Sequence, residues 1–229
     1  MNVILFGATG MVGQSVLREC LLDNTVDQVL AIGRKPTGII HAKLRETILN
    51  DMFHFDLSEV DVSEFHACFF CLGVSAAGMN KDDYKHLTFD LTLGWAETLA
   101  RFNPSLTFIY VSGAGTGGQP LWAQVKGQTE DALLKLFPNA YMFRLAAMQP
   151  LNGEISKTTW TRISYKLLSP LLPLVRAAIP GSVITSEELG RAMIRVAQTG
   201  APKRVLSNRD MIDLGALEKS NSKEVEPKQ

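Results

Sequence analysis

The chain has 229 residues, enough to bury one sizeable core, and a length near the upper end of ordinary domains favours one domain with an appendage over two. Its 23 Lys and Arg balance 23 Asp and Glu, so the overall charge does not call for nucleic acid or an anionic membrane surface as main partner. Three cysteines cannot frame a disulfide-stapled fold, and with no secretory leader pattern they point to a reducing, cytoplasmic setting.

The first residues run directly from a short apolar strand, 3–6, into a glycine turn, so the N-terminus is expected to be part of the mature fold. A helix-period segment at 11–22 follows, then apolar runs at 29–32, 47–49 and 67–72. A long helix is predicted from about Asp82 to Phe102, a strand at 107–111, a helix around 122–137 and a strand at 140–144. Strands that are continuous apolar runs, alternating with helices, predict a doubly wound α/β fold: a Rossmann-type parallel sheet covered on both faces.

After Gln149-Pro150 the rhythm breaks. A polar stretch, 152–161, and a Pro-interrupted apolar one, 165–180, read as a small substrate-side cap at about 151–182. Lys166, Arg176 and three prolines make the apolar stretch wrong for a membrane span. Thr185 and Glu188 have capping-box spacing, and the helix they open is expected to stop at Gly200 and Pro202. Residues 204–206 suit a last short strand. The domain is expected to span 1–217, with 218–229 a disordered polar tail.

Gly7-Ala8-Thr9-Gly10-Met11-Val12-Gly13 sits between a strand and a helix at the head of a βαβ unit. Glycines there permit a tight turn and a close backbone approach to a pyrophosphate, and the helix N-terminus supplies unpaired N–H groups and partial positive charge. Such a turn is a dinucleotide site by its context, not by its glycines alone. An NAD site usually places an acidic residue after the second strand; this chain has Gly33-Arg34-Lys35 and no Asp or Glu there. A guanidinium can clamp a 2′-phosphate and stack on adenine, so NADP is expected over NAD, with Arg34 the main contact and Lys35 an auxiliary charge.

These residues resemble the atypical short-chain dehydrogenase/reductases, in particular the small, epimerase-like NAD(P)-binding branch that includes the Tat-interacting tumour-suppressor proteins. The resemblance is carried by the glycine turn, Arg34, Asn50-Asp51, Cys71-Leu72-Gly73, Tyr110-Val111-Ser112 and Gln124-Val125-Lys126-Gly127. It extends more loosely through Arg144 and Gln149-Pro150 to the helix at 185–197. It implies that Asp51 lies near adenine, that the Leu72-Gly73-Val74 backbone passes the adenosine ribose, that Lys126 holds the nicotinamide ribose, and that Ser112 faces a substrate carbonyl. An Asp in a turn can also simply stabilise that turn.

The pattern breaks at one position. The family's Tyr stands four residues before the Lys, where the ammonium favours the phenolate needed for proton exchange. Here that position is Trp122, whose indole N–H donates a hydrogen bond but does not titrate usefully. Trp122, Val125, Thr129, Leu133 and Leu136 recur at helical spacing on one face, so the plain reading of Trp122 is that it packs in the core or lines the pocket as an apolar wall. As substitutes for the phenol, Tyr84 reads as a surface aromatic, Tyr110 as a strand residue and Tyr165 as part of the cap.

Cys68 and Cys71 lie three apart on a strand and point to opposite faces, so a redox CxxC is not expected. His41, His54, His66 and His86 form no metal-ligating set. Ser112 follows Tyr110 and Val111 where a hydrolase elbow needs glycine, and 113–118 reads as a mobile loop over the cofactor. The leading expectation is an NADP-dependent oxidoreductase or epimerase-like enzyme acting on a small carbonyl or hydroxyl compound, with Ser112 and Lys126 as its catalytic residues. The alternative is a non-catalytic, NADP-sensing regulator; a lipid-like ligand carrier is suggested only by the apolar cap. Partners are then the dinucleotide and a small molecule, with a homodimer compatible with the sequence.

Overall fold

The computed structural model describes residues 1–57, 60–154 and 181–221, with 172, 176 and 179 between them. Seven parallel strands form the main sheet in the order β3-β2-β1-β4-β5-β6-β9: β1 Asn2–Phe6, β2 Gln28–Gly33, β3 Leu44–Ile48, β4 Ala67–Phe70, β5 Thr107–Gly113, β6 Ala140–Leu145 and β9 Val205–Ser207. Between the last two, β7 Ala147–Gln149 and β8 Val183–Thr185 pair parallel in a small second sheet.

The apolar runs divide their residues strictly by strand alternation. Val3, Leu5, Val29, Ala31, Ala67, Phe69, Ile109 and Val111 enter one core layer, under α1 (Met11–Leu22) and α5 (Ser186–Thr199). Ile4, Phe6, Leu30, Ile32, Cys68, Phe70, Phe108 and Tyr110 enter the other, under α3 (Leu91–Phe102) and α4 (Leu121–Leu136). Continuous hydrophobicity is therefore the signature of a sheet buried on both faces. The edge strand β3 lacks it: Arg45 and Glu46 are exposed, which is why its apolar signal is faint and the sequence places it three residues late.

The predicted helix 82–102 is present with a difference. It begins as α2, Lys81–Lys85, with Asn80 accepting from the Asp83 N–H at 2.8 Å, passes through a π-helical turn at His86–Asp90, and continues as α3. Tyr84 is not the surface aromatic expected: it is buried at 1% exposure, close enough to Tyr110 for the two phenols to interact.

At α5 the capping box forms as its spacing requires, Glu188 N–H to Thr185 Oγ1 at 3.2 Å and Thr185 N–H to Glu188 Oε2 at 2.9 Å. Gly200, at φ +69°, ends that helix. A further helix, α6 (Asn208–Asn221), packs on α5 and reaches into the segment 218–229; residues 222–229 lie outside the described ones. So does most of the expected cap at 151–182. Among the described residues no helix is long and apolar enough to cross a membrane, and no group of His, Cys, Asp or Glu is placed to hold a metal ion.

Candidate dinucleotide site

Strands β1, β2, β4 and β5 all end at the same edge of the sheet, in Gly7, Gly33, Cys71 and Gly113, and the chain's winding reverses between β1 and β4. In open parallel sheets this crevice beyond the carboxyl ends of the strands is where ligands bind. Gly7 occupies it at φ +80°, and a Cβ there would stand 2.7 Å from the Cys71 carbonyl group. A Cβ on Gly13 would stand 2.0 Å from the Gly7 oxygen, so the helix meets its strand at a separation only glycine allows.

The turn closes through the Gly10 N–H donating to the Gly7 oxygen at 2.9 Å. Gly10 is the N-cap of α1 with no side-chain hydrogen bond to the first turn, so the Met11, Val12 and Gly13 amides have no intrahelical acceptor. Thr9 to Val12 are half-buried, an accessible rim of N–H donors at the positive end of the helix dipole.

Arg34 and Lys35 follow β2 directly, are exposed, and take no hydrogen bond or ion pair among the described residues. Asp51, beyond β3, is exposed; its Oδ1 accepts from the Phe53 N–H at 2.9 Å, so it stabilises its own turn whatever else it touches. That turn is anchored from below by Trp95, whose indole donates to the Met52 carbonyl at 2.8 Å. Leu72 is half-buried and Gly73 exposed, with open space where a Cβ would lie.

Across the crevice, α4 packs over β5. Lys126 donates to the Val111 carbonyl at 3.5 Å and lies 5.6 Å over the Tyr110 ring. Burial pushes its pKa down from 10.5 to about 8, while Glu130, one turn on, opposes the shift. Ser112 is buried, and its hydroxyl donates to Glu130 Oε1 at 2.6 Å. Arg144, paired directly with Ser112 in the β5–β6 register, donates to the same carboxylate, with Nη2 2.6 Å from Oε2. Glu130, 2% exposed, was not identified from the sequence. Its one signal is a carboxylate at i+4 from Lys126, next to a buried apolar stripe.

The ring of Trp122 lies over the backbone at the end of β5, where added Cβ atoms on Gly113 and Gly115 would approach it to 3.2 and 3.6 Å. It is half-buried and walls the mouth of the crevice. The loop beyond it is tied by Gly117 N–H to the Ala123 oxygen at 2.8 Å and by Thr116 Oγ1 to the Gly113 oxygen at 2.7 Å. Burial raises the pKa of both Tyr84 and Tyr110 above 10.0, which leaves neither poised to exchange a proton near neutrality. Cys68 and Cys71 fall in different core layers and are free thiols, with pKa values raised by burial.

No family model matches the chain. Leucinostatins biosynthesis cluster protein T of Purpureocillium lilacinum is 28% identical over 142 residues, 59% of this chain and 52% of that one, so the match spans about half of that relative's length. Protein FMP52-1, mitochondrial, of Scheffersomyces stipitis is 23% identical over 212 residues, 89% of this chain and 91% of that one. Among solved structures, a UDP-glucose 4-epimerase superposes with a TM-score of 0.65 at 17% identity, over 97% of this chain and 82% of that one. A short-chain dehydrogenase/reductase of Saccharomyces cerevisiae gives 0.65 at 12%, over 93% and 98%. The UDP-glucuronic acid 4-epimerase of Bacillus cereus, in complex with NAD, gives 0.62 at 17%, over 97% and 83%. The chain has the Rossmann-type fold of the short-chain dehydrogenase/reductase and epimerase enzymes.

Proposed function

We propose that this protein binds NADP and is an oxidoreductase or epimerase-like enzyme of the small atypical short-chain dehydrogenase/reductase branch, acting on a small carbonyl or hydroxyl compound. The observation that carries the dinucleotide is the contact of Gly13 with Gly7: a turn this tight leaves the first amides of α1 facing the switch-point crevice. The NAD bound by the Bacillus cereus epimerase supports the same assignment. In this reading Gly7, Thr9, Gly10, Met11, Val12 and Gly13 cradle the pyrophosphate, and Asp51, Leu72 and Gly73 border the adenosine. Arg34 and Lys35 meet the 2′-phosphate. Lys126 holds the nicotinamide ribose through its hydroxyls.

The bound nicotinamide would supply the hydride donor or acceptor. Ser112 would meet the substrate oxygen, but its proton is held by Glu130, so it presents lone pairs and best receives a hydroxyl donor. The second reading, a regulator that binds NADP without turnover, rests on Trp122 alone, which withholds the usual acid. Titration calorimetry with NADPH against NADH tests the cofactor: NADPH should bind more tightly, and Arg34→Ala should weaken that preference. Equal affinities would defeat the NADP assignment, and no binding of either would defeat the dinucleotide site.

A further inference from the structure

Beside the glycine turn the surface opens into a cleft of about 460 Å³. Its floor is Ala8 and Thr9 of the turn with Gln14 and Arg18 of α1, and one wall is Pro36, Thr37 and Ile39, just beyond Arg34-Lys35. Gln14 and Arg18 stand one helical turn apart on the same face, and Gln14 Nε2 donates to the Thr9 carbonyl at 3.0 Å, so this face of α1 is joined to the turn. The Thr37 N–H donates to Glu46 Oε1 at 2.8 Å, which holds the wall in place against β3.

Arg18 is part-exposed at 39% of its side chain. Only its Nη1 is engaged, by the neighbouring Glu19, so among the described residues Nε and Nη2 have no acceptor. Glu19 also packs against Gly190 of α5, and its carboxylate is shared between Arg18 and Arg191. A guanidinium with donors to spare, lining a cleft whose facing wall follows directly on Arg34-Lys35, is suited to a dianion. Glu154 and Asn152 also line the cleft; burial acts to raise the Glu154 pKa, but hydrogen bonds involving Asn152 and Ser186 outweigh it and hold the carboxyl below its usual 4.5, so it repels an anion. By charge, a phosphate is expected beside Arg18 and away from Glu154.

We propose that Arg18 is a specificity-determining residue that supplies the second guanidinium for the 2′-phosphate of the adenosine, from the floor of the cleft whose wall follows Arg34-Lys35. This rests on the NADP reading above. The probes are 2′,5′-ADP and 5′-AMP, titrated calorimetrically into the full chain, wild type and Arg18→Gln. Arg18→Gln should lose roughly tenfold or more in affinity for 2′,5′-ADP, the size of one charge-assisted hydrogen bond, while 5′-AMP binding stays within about twofold. Wild-type affinity for 2′,5′-ADP in the variant, or equal loss for both nucleotides with an unchanged melting temperature, overturns the role of Arg18 alone. A wild type that binds the two nucleotides equally overturns the NADP reading and the proposal with it. If Arg18→Gln melts early, Arg18→Lys decides: it should retain an intermediate preference for 2′,5′-ADP, and full wild-type preference counts against the bidentate role.

Discussion

Ser112 and Glu130 share a hydrogen bond of 2.6 Å in which the serine is the donor, and the carboxylate that accepts it is nearly sealed from water and paired with Arg144. The two ends of the ion pair differ in exposure, 2% for Glu130 and 35% for Arg144. Removing them is therefore not equivalent. Arg144→Ala strands a buried carboxylate and should cost about 3 kcal/mol, whereas Glu130→Gln leaves an arginine that can rehydrate and should cost about 1–2 kcal/mol.

Urea denaturation of the two variants against wild type measures this asymmetry, and Arg144→Ala should show the larger deficit. Equal deficits would mean that Glu130 does not remain buried without its partner.

Gly13 and Gly73 make a matched pair for the cofactor site. A methyl on Gly13 would meet the Gly7 oxygen at 2.0 Å, whereas at Gly73 it meets nothing within 4 Å. Gly13→Ala should abolish NADPH binding and lower the melting temperature, because the strand-to-helix turn must open to admit it. Gly73→Ala should fold as wild type and alter only nucleotide affinity. Retained NADPH binding in Gly13→Ala would show that the turn does not cradle the phosphates.

The features visible in the sequence were those written in local pattern. The strand 3–6, the helix 11–22 and the Thr185–Glu188 cap each declare themselves within a dozen residues. What escaped was set by tertiary partners. Tyr84 is buried because its helix turns that face toward Tyr110 and α4, a relation no local spacing encodes. Glu130 looks like a solvated helix carboxylate until β6 brings Arg144 beside it. Arg18 reads as a solvated helix residue until the fold sets it beside Thr9 and Thr37 in one cleft.

Trp122 separates turnover from mere binding. Its ring covers the Gly113 and Gly115 backbone, a place a phenol could also occupy, so Trp122→Tyr should fold normally. The enzyme reading expects wild type to oxidise NADPH with some member of a panel of small carbonyl compounds faster than Lys126→Ala does. Trp122→Tyr should raise that rate by restoring a titratable group beside the lysine. Wild-type and Lys126→Ala rates that coincide across the panel would favour the regulator.

Lys126 is a cost to the folded protein that a ligand can recover. Its pKa falls from 10.5 to about 8 on folding because burial penalises the ammonium. Below pH 8 the lysine is charged in both states and the penalty is present in full. Between pH 8 and 10.5 the unfolded chain binds more protons than the folded one, so this residue's contribution to stability improves as pH rises. Lys126→Met should therefore be more stable than wild type at pH 7, with the difference shrinking toward pH 10.5. Saturating NADPH should reverse the order at pH 7, because the ammonium then gains ribose hydroxyls as acceptors and the methionine does not. Paired thermal melts of the two proteins, with and without NADPH across this range, measure both effects. A difference independent of pH would mean that the lysine is hydrated in the folded state.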